Sequence, residues 1–545
     1  MDNLTRLDSS VKEAFSLRRS VLAVFLDIQK AYDMSWRRGI LQKLFALGFQ
    51  GNLPVFISNL IQTRRFRVRV GSCLSDSFVQ ENGVPQGSVL SPTLFMLLIN
   101  DLLDGAPDNV RFALYADDIV LWCEDEDIGV ARDSVQRALD CLANWQDTWG
   151  TTFAPAKSSF VIFSRKRNVP DVVLRIKDAQ IPEAASVKFL GLHFDKRLTW
   201  REHVRYLRDS CMKRLNVLRS VQNFAWGADR YSLLMIYKSF ILSKLEYACH
   251  IYDAAATSTK DRLNCVQNTA LRLATGTLRC TNVARLEVEA VVPPLQVNRD
   301  LNSIRYGSKL YMDVRNPSRA CLRDDRLFAF TLDRPFSVRL QGACEKYGIS
   351  LVDIDTKCHV FIPPWVTPKL HIDLSVHMGS KFSTPVEVLK ANSLAMMGRY
   401  GSSEHYYTDG SVGNGCTGVG VFHRSFSSCV RLPDCISIFS AEAYALYLAV
   451  KRGTECGKDF AVFTDSYSCL AAIASLNCDH SYIARIINMV HHCPLRVSLC
   501  WVPSHCGVFG NEQADRIAKR ALSLRTITTI KLPRNDFFVI GTETY

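Results

Sequence analysis

The chain has 545 residues, 48% of them hydrophobic and 22% charged, and carries a net charge of +13 at pH 7. This composition excludes a disordered protein, and no stretch reaches the roughly 18 apolar residues of a membrane-spanning helix. The 19 cysteines show no repeated short spacing, and residues 1–20 lack the apolar core of a secretion signal. We expect a multidomain protein of the nucleus or cytoplasm, neither secreted nor bound to a membrane, whose basic charge favours nucleic acid.

The first strong pattern is a continuous apolar run at residues 21–26, which follows a helical pattern at 3–19. Such a run is typical of a central strand. It ends at Asp27, and an acid at the end of a buried strand is costly unless it binds a metal or a strong donor. The residues alone leave open that Asp27 is a surface acid and that Asp33 is a helix cap.

Arginines alternate with apolar residues at 64–70. This period of two predicts one strand with a basic face and an apolar face. The basic face suits a phosphate backbone, and the alternative is a solvated strand face. Further on, Ser91 and Pro92 predict the start of a helix over residues 93–103.

Two short apolar runs at 110–114 and 119–122 flank Asp117 and Asp118. The runs predict a hairpin with the two acids at its tip. Adjacent carboxylates repel each other unless a divalent cation lies between them. The pair therefore predicts half of a metal site, with Asp27 as the third acid.

Three segments, at 25–33, 82–92 and 115–118, resemble the first three palm motifs of reverse transcriptases from non-LTR retrotransposons. Their order and spacing also fit. The resemblance implies that Asp27 and Asp117 hold two Mg²⁺ ions, or Mn²⁺, with Asp118 assisting. It further implies an RNA template, a DNA primer and dNTPs as partners.

The same resemblance implies roles for four other residues. Tyr32 would exclude a ribose 2′-hydroxyl, although a core aromatic is the alternative. Gln86 and Gly87 would lie against the template and the incoming nucleotide. Lys157 would protonate or stabilise the departing pyrophosphate.

Helical periodicity dominates the next part of the chain. A helix over 127–149 is expected to serve packing, and residues 187–194 resemble the primer-grip hairpin. Residues 199–222 predict an amphipathic helix whose apolar side joins a small bundle and whose basic side fits a duplex, as in a thumb. A plain solvated helix is the alternative. Two more helices are expected near 230–247 and 260–274.

Acids at the ends of alternating strands and helices mark the end of the chain. They are Asp409, Glu442, Asp465 and Asp515, with His505 in a loop before the last helix. This alternation predicts an α/β layer. The segments resemble ribonuclease H (RNase H), which implies that the four acids bind two Mg²⁺ ions, that His505 assists proton transfer or product release, and that an RNA–DNA hybrid is the substrate.

Local signals refine this part. Ser440 is expected to be a helix N-cap with Glu442 in the first turn, and 497–502 to be a strand. Histidines and cysteines crowd the span from 491 to 506 and suggest zinc. Their spacing matches no paired ligand pattern, so buried thiols are the better interpretation.

We therefore predict a multidomain protein of the α/β and α+β classes, with a palm, a helical thumb, a linker region and an RNase H-like mixed-sheet domain. The predicted bounds are palm 1–195, thumb 196–290, connection or linker 291–400, RNase H 401–524 and tail 525–545.

The palm is expected to lack most of its fingers region, because only 26 residues precede Asp27. The predicted function is RNA-directed DNA synthesis together with hybrid cleavage. A fragment active only as RNase H and a silent nucleic-acid-binding remnant are the alternatives.

Overall fold

A computed structural model describes the protein, and the described residues are 1–62, 64–223, 226–322, 334–363, 365–376, 384–434, 436–476 and 479–537. The chain divides into two compact units, an N-terminal unit of Met1–Ser303 with Arg323–Leu340 and a C-terminal unit of Ile304–Leu322 with Gln341–Tyr545. Residues 323–333 and 377–383 of the predicted linker, and 538–545 of the predicted tail, lie outside the described residues. Within the described residues, no helix is both long and apolar enough to cross a membrane.

Twelve strands belong to the N-terminal unit as described. In chain order they are β1 (Ser20–Asp27), β2 (Arg64–Phe66), β3 (Arg69–Val70), β4 (Cys73–Leu74), β5 (Phe78–Gln80), β6 (Arg111–Tyr115), β7 (Asp118–Asp125), β8 (Ser159–Phe163), β9 (Leu174–Ile176), β10 (Ala179–Ile181), β11 (Ser186–Phe189) and β12 (Leu192–Asp195).

The helices of the same unit begin at the N-terminus. They are α1 (Asp2–Ser16), α2 (Ala31–Met34), α3 (Arg37–Ala46), α4 (Asn52–Ile61), α5 (Ser91–Leu98), α6 (Ile128–Trp149), α7 (Arg201–Val221), α8 (Arg230–Ile236), α9 (Ser243–Glu246), α10 (Cys249–Tyr252), α11 (Thr257–Thr275) and α12 (Val283–Ala290), with a π-helical turn at Tyr237–Leu242.

Strand β1 lies inside a four-stranded antiparallel sheet of order β6-β7-β1-β8, as its apolar sequence predicted. Its side chains alternate between two cores. Val21, Ala23 and Phe25 pack in one core together with residues of α1 and α7. The residues between them pack in a second core with α6. Burial on both faces explains why the run is apolar throughout.

Two local predictions in this unit were wrong. The expected strand over 64–70 is broken into β2 and β3, which pair with β5 and β4 respectively. Phe66, Val68 and Val70 are exposed, so no buried face holds the two pieces in one line. The helix expected over 93–103 begins earlier and ends at Leu98, whose carbonyl accepts a hydrogen bond from Lys43 Nζ.

The other predicted helices are confirmed within a few residues. Asp127 caps α6 by accepting a hydrogen bond from Gly129 N–H at 2.8 Å, and Gly150 ends it in a left-handed conformation. Helix α7 buries the apolar row from Val204 to Leu218 and exposes Arg201, Arg205 and Arg208. Strands β11 and β12 form the predicted hairpin.

The remaining elements follow in chain order. The helices are α13 (Leu295–Met312), α14 (Phe336–Lys346), α15 (Val386–Gly398), α16 (Ile438–Cys456), α17 (Tyr467–Ser475), α18 (Ser481–His492) and α19 (Phe509–Ala521), with 3₁₀ turns at Pro317–Leu322 and Leu351–Asp353. The strands are β13 (His371–Asp373), β14 (Glu404–Gly413), β15 (Cys416–His423), β16 (Phe426–Leu432), β17 (Phe460–Thr464) and β18 (Val497–Trp501).

The C-terminal unit is built on a mixed six-stranded sheet of order β13-β18-β17-β14-β15-β16. Strands β13, β18, β17 and β14 run parallel to their neighbours, whereas β14, β15 and β16 form antiparallel pairs. The strand predicted at 497–502 is confirmed as β18. Helices α16 and α19 both pack on β14 and β15, so the sheet and the helices form the expected α/β layers.

The predicted cap of α16 was wrong. The helix begins three residues earlier than expected, because Ser437 is the N-cap and its Oγ accepts a hydrogen bond from Ser440 N–H at 3.4 Å. Ser440 is therefore already helical, and Glu442 lies in the second turn. Serine is a favoured N-cap at either position, so residue type alone did not place the start of the helix.

Candidate acidic sites

The register of the four-stranded sheet brings two of the predicted acids side by side. Asp27 ends β1 directly opposite Asp118, the first residue of β7. Asp117 lies in the turn between β6 and β7, next to Ala116, which has a φ of 53°. A left-handed alanine is costly, and such strain is often found at functional sites. The turn therefore presents Asp117 beside the Asp27–Asp118 pair.

The electrostatics of this first site follow from its geometry. Partial burial raises the pKa of Asp118, and the charges of Asp117 and Asp27 raise it further. Lys157 Nζ lies 3.5 Å from Asp27 Oδ2 and supplies a compensating charge. Among the described residues, however, no group of three ligand atoms within 4.8 Å of one another includes these acids.

Tyr32 belongs to the first predicted motif and contacts the second. Its ring stacks on Phe95 with centroids 5.2 Å apart, and its carbonyl accepts a hydrogen bond from Val84 N–H at 2.8 Å. A Cβ on Gly83 would lie 2.5 Å from the Tyr32 carbonyl oxygen, and Gly83 has a φ of +84°. Only glycine fits this approach, so the two motif loops are packed backbone to backbone.

Gln86 and Gly87 follow in the same loop. Gln86 Nε2 donates a hydrogen bond to Asp33 Oδ1 at 2.9 Å, which ties the second motif to the first. Gly87 has a φ of +85°, and a Cβ there would face open space. Sequence reasoning missed Arg37, whose Nε donates to the Gly83 carbonyl at 2.8 Å. No motif spacing pointed to it.

The second site is more compact. Asp409 lies in β14, one residue after the pairing of Thr408 with Thr464, and Asp465 directly follows β17. Glu442 comes from α16. One carboxylate oxygen from each of these three residues lies within 4.8 Å of the others. Parallel neighbouring strands thus bring two acids to one edge, and a helix packed on the sheet adds the third.

Gly410 allows the helix to approach the strand. A Cβ on Gly410 would lie 3.0 Å from the Glu442 backbone nitrogen and 3.2 Å from Glu442 Cδ. The Gly410 N–H donates a hydrogen bond that lowers the Glu442 pKa, but Glu442 Oε2 is buried without a hydrogen-bond partner. An unpartnered carboxylate oxygen in a buried site needs a cation or a proton.

The protonation of this cluster differs from that of ordinary carboxyls. Burial raises the pKa of Asp409 to about 8, with further contributions from Asp465 and Asp515. Burial also raises the pKa of Glu442, and the charges of Asp465 and Asp409 raise it further. Without a cation, these carboxylates cannot all be ionised together near neutral pH. A set of oxygen ligands of this kind suits a hard divalent cation, so these residues fit Mg²⁺ or Mn²⁺.

Asp515 connects this cluster to a second group. A hydrogen bond with Asp515 contributes to the raised pKa of Asp409, and Lys519 Nζ lies 2.8 Å from Asp515 Oδ2. Ligand atoms of His505, Glu512 and Asp515 also lie within 4.8 Å of one another. Sequence reasoning missed Glu512, although its position three residues before Asp515 on one helix face was the available signal.

The histidines and cysteines between 491 and 506 suggested zinc from sequence but were interpreted as buried thiols. Among the described residues, the two groups of potential ligands contain histidine and carboxylates but no cysteine. Cys493, Cys500 and Cys506 are buried cysteines outside any disulfide bond. The interpretation as packed core cysteines therefore agrees with the described part of the chain.

Comparison with known families identifies two domains. A family model described as "Reverse transcriptase (RNA-dependent DNA polymerase)" matches residues 2–194, and one described as "RNase H" matches residues 402–523. A solved structure of RNase H1 from Halobacterium salinarum NRC-1 aligns over 22% of this chain and 97% of its own, with 19% identity and a TM-score of 0.18.

Several relatives of the chain come from mobile elements of Drosophila. The RNA-directed DNA polymerase from mobile element jockey of Drosophila funebris is 29% identical over 54% of this chain and 32% of its own length. A probable RNA-directed DNA polymerase from transposon BS of Drosophila melanogaster is 30% identical over 50% of this chain and 31% of its own length. The matched part of the chain thus spans about a third of each of these relatives.

These findings confirm the resemblance drawn from the motifs and the predicted fold class. The chain carries a reverse transcriptase domain followed by an RNase H domain, and its homologues are RNA-directed DNA polymerases of non-LTR retrotransposons.

Proposed function

We propose that the chain synthesises DNA on an RNA template and cleaves the RNA strand of RNA–DNA hybrids, with divalent cations at both acidic sites. The cleavage function rests on the compact group of Asp409, Glu442 and Asp465 with its buried, unpartnered Glu442 oxygen. The synthesis function rests on the match of residues 2–194 to the reverse transcriptase family model and on Asp27 lying opposite Asp118. Such an arrangement destabilises the metal-free protein, and cation binding offsets that cost.

In the RNase H domain, we assign Asp409, Glu442, Asp465 and Asp515 to the cation site. When bound, two divalent cations supply an activated water and neutralise charge on the leaving group. His505 is exposed, and a ring nitrogen of His505 lies in one ligand group with Asp515. Its imidazole is suited to carry a proton to or from the departing strand.

In the polymerase domain, Asp27, Asp117 and Asp118 are the proposed cation ligands. Lys157 lies beside Asp27 and would offset the charge of the departing pyrophosphate. The stacked ring of Tyr32 would limit the space at the sugar, which favours dNTPs over ribonucleotides. Gln86 and Gly87 would border the template and the incoming nucleotide, where Gly87 leaves open space.

A second candidate function is hybrid cleavage alone. It is favoured by the difference between the two sites, because the described residues hold a compact ligand group at the RNase H acids but none at Asp27, Asp117 and Asp118. A silent nucleic-acid-binding remnant is disfavoured, because retention of several buried like charges without a ligand costs stability.

Hybrid cleavage tests the proposal directly. Purified chain with Mg²⁺ should degrade labelled RNA annealed to DNA, and Asp465→Asn should abolish this degradation. Glu455→Gln is the matched control, since Glu455 is exposed on α16 and pairs with Arg452. Hybrid that stays intact with the wild-type chain would contradict the proposed RNase H activity.

Primer extension separates the two candidate functions. The full proposal requires that a DNA primer be extended on an RNA template and that Asp117→Asn abolish extension. Asp140→Asn is the control, because Asp140 is exposed on α6. Cleavage without extension would leave the RNase H function and remove the polymerase function.

A further inference from the structure

The last described residues of the chain run along the C-terminal unit beyond the matched RNase H segment. That segment ends at residue 523. After it, Ile527 pairs with Arg431 in a parallel bridge, and Thr528 N–H donates to the Arg431 carbonyl at 2.8 Å. Arg431 belongs to β16, which ends the six-stranded sheet. The chain from 525 to 537, here named the C-terminal strap, therefore begins by extending this edge.

A second attachment follows a few residues later. Leu532 forms a parallel bridge with Ile354. Leu532 N–H donates to the Asp353 carbonyl at 2.7 Å, and Asp355 N–H donates to the Leu532 carbonyl at 2.9 Å. The side chains of Leu532 and Ile354 are buried. The strap is thus held on both sides by backbone hydrogen bonds and by apolar burial.

The strap reaches the start of α16 through Asp536. This residue is 1% exposed, and its Oδ1 accepts a hydrogen bond from Ser437 N–H at 3.1 Å. Ser437 is the N-cap of α16. A carboxylate is stabilised at this end of a helix by the free N–H groups and the helix dipole. Asp536 and the cap therefore stabilise each other across 99 residues of sequence.

The first turn of α16 is also held from another side. Ser440 Oγ lies 2.9 Å from His480 Nε2, and both residues are buried. Glu442 follows two residues after Ser440. It packs so closely on Gly410 that a Cβ added to Gly410 would push against the Glu442 backbone nitrogen. These contacts fix the start of the helix. If the cap shifted, the Glu442 carboxylate would move relative to Asp409.

We propose that the C-terminal strap fixes the start of α16, and that Asp536 is a positioning residue for the metal ligand Glu442. The inference rests on the proposed function in one respect, since it takes Glu442 to be a metal ligand. It extends the RNase H unit beyond the family match, to a segment with no residue in the two ligand groups of the described residues.

Hydrogen exchange of the peptide at 437–446, measured on the full chain against Mg²⁺ concentration, tests this role without relying on activity. In Asp536→Ala, both the exchange rate at 437–442 and the Mg²⁺ concentration for half-protection should rise about tenfold, the size expected for one hydrogen bond to a charged acceptor. Asp536→Asn keeps the acceptor oxygen but loses the charge, and should fall between the wild type and Asp536→Ala. Arg525→Ala, at an exposed position of the strap, should change neither value.

Leu532→Ala distinguishes positioning from general stability. It loosens the same strap but leaves the bond between Asp536 and Ser437 in place. The positioning role requires a larger loss of Mg²⁺ affinity in Asp536→Ala than in Leu532→Ala at equal loss of stability. Equal losses, or an Asp536→Ala protein with wild-type Mg²⁺ dependence, would overturn the proposal.

Three further outcomes are decisive. If Asp536→Ala does not fold, Ser437→Pro removes the same donor from the helix side, because Ser437 has a φ of −66° that proline adopts. Ser437→Ala is its control, because it loses the cap oxygen but keeps the N–H that donates to Asp536. Ser437→Pro should weaken Mg²⁺ protection more than Ser437→Ala, and equal protection in the two variants would overturn the proposal. If the wild-type chain does not cleave hybrid but Asp536→Ala still weakens Mg²⁺ protection, only the proposed activity is removed. A wild-type chain without any Mg²⁺-dependent protection would overturn the positioning role itself.

Discussion

Glu442→Gln should stabilise the metal-free protein at pH 8 and weaken its response to Mg²⁺. The side chain is 8% exposed, and its Oε2 has no hydrogen-bond partner. The ligand atoms of Asp409, Glu442 and Asp465 lie within 4.8 Å of one another. Glutamine keeps the shape, removes the charge and offers an amide that can donate to the neighbouring carboxylates.

The magnitude follows from Coulomb's law. Two unit charges at the 4.8 Å limit repel by about 3.5 kcal/mol at an effective dielectric constant of about 20. The metal-free wild type bears this repulsion or takes up a proton that its unfolded state does not bind at pH 8. We therefore expect a gain of about 3 kcal/mol in the free energy of unfolding, which shifts Tm by about 6 to 12 °C for a unit of this size.

Calorimetry of the full chain in EDTA, with and without excess Mg²⁺, measures the effect. Hydrogen exchange of β17, whose residues are all buried, assigns it to the C-terminal unit. The gain should disappear near pH 4, where glutamate is protonated in both states. Glu455→Gln, at an exposed position of the same helix, should shift the free energy of unfolding by less than about 0.5 kcal/mol.

A Glu442→Gln protein that melts below the wild type in EDTA at pH 8 would refute the reasoning. So would a gain of the same size at pH 4, because the effect would then not come from charge.

The other predictions concern the pH profile and two close backbone approaches. The metal-free C-terminal unit should lose stability as pH rises from about 6.5 to 8, because the pKa of Asp409 is raised from 3.8 to about 8 and the folded state binds the extra proton there. Below pH 6.5 the buried His480, whose pKa is lowered to about 4, opposes this trend, because the unfolded state then binds the extra proton. Denaturant titrations in EDTA between pH 6.5 and 8 would show a flat or rising profile if this were wrong. Gly410→Ala should lower the free energy of unfolding by about 1 to 3 kcal/mol and weaken Mg²⁺ protection of α16, since its Cβ would lie 3.0 Å from the Glu442 backbone nitrogen. An unchanged melting curve would count against this close approach. Gly83→Ala should destabilise the N-terminal unit by a similar amount or more, because its Cβ would lie 2.5 Å from two backbone carbonyl oxygens at a φ of +84°. Urea unfolding measures this loss. Gly87→Ala is the control that isolates the steric part, because Gly87 has a φ of +85° but open space around its Cβ position. Lys157→Ala should change stability by less than about 1 kcal/mol, as expected for a largely exposed ion pair, while lowering any primer-extension rate.

Local sequence determined the elements and the residue types of the sites. The apolar run of β1 predicted a central strand because burial on both faces requires it, and the helical period predicted α6 and α7 within a few residues. Where burial did not decide, local reasoning failed. The exposed stretch at 64–70 had the period of a strand but no partner surface, and Ser437 rather than Ser440 became the cap of α16.

The tertiary structure decided which acids meet. Asp27 faces Asp118 because of strand register, and Asp409 meets Asp465 because β14 and β17 are parallel neighbours. The participation of Glu512 and the bond from Asp536 to Ser437 depend on helix packing and on contacts across long stretches of chain. Periodicity within a short window carries no information about such distant pairs, because sheet order and packing of the whole unit set them.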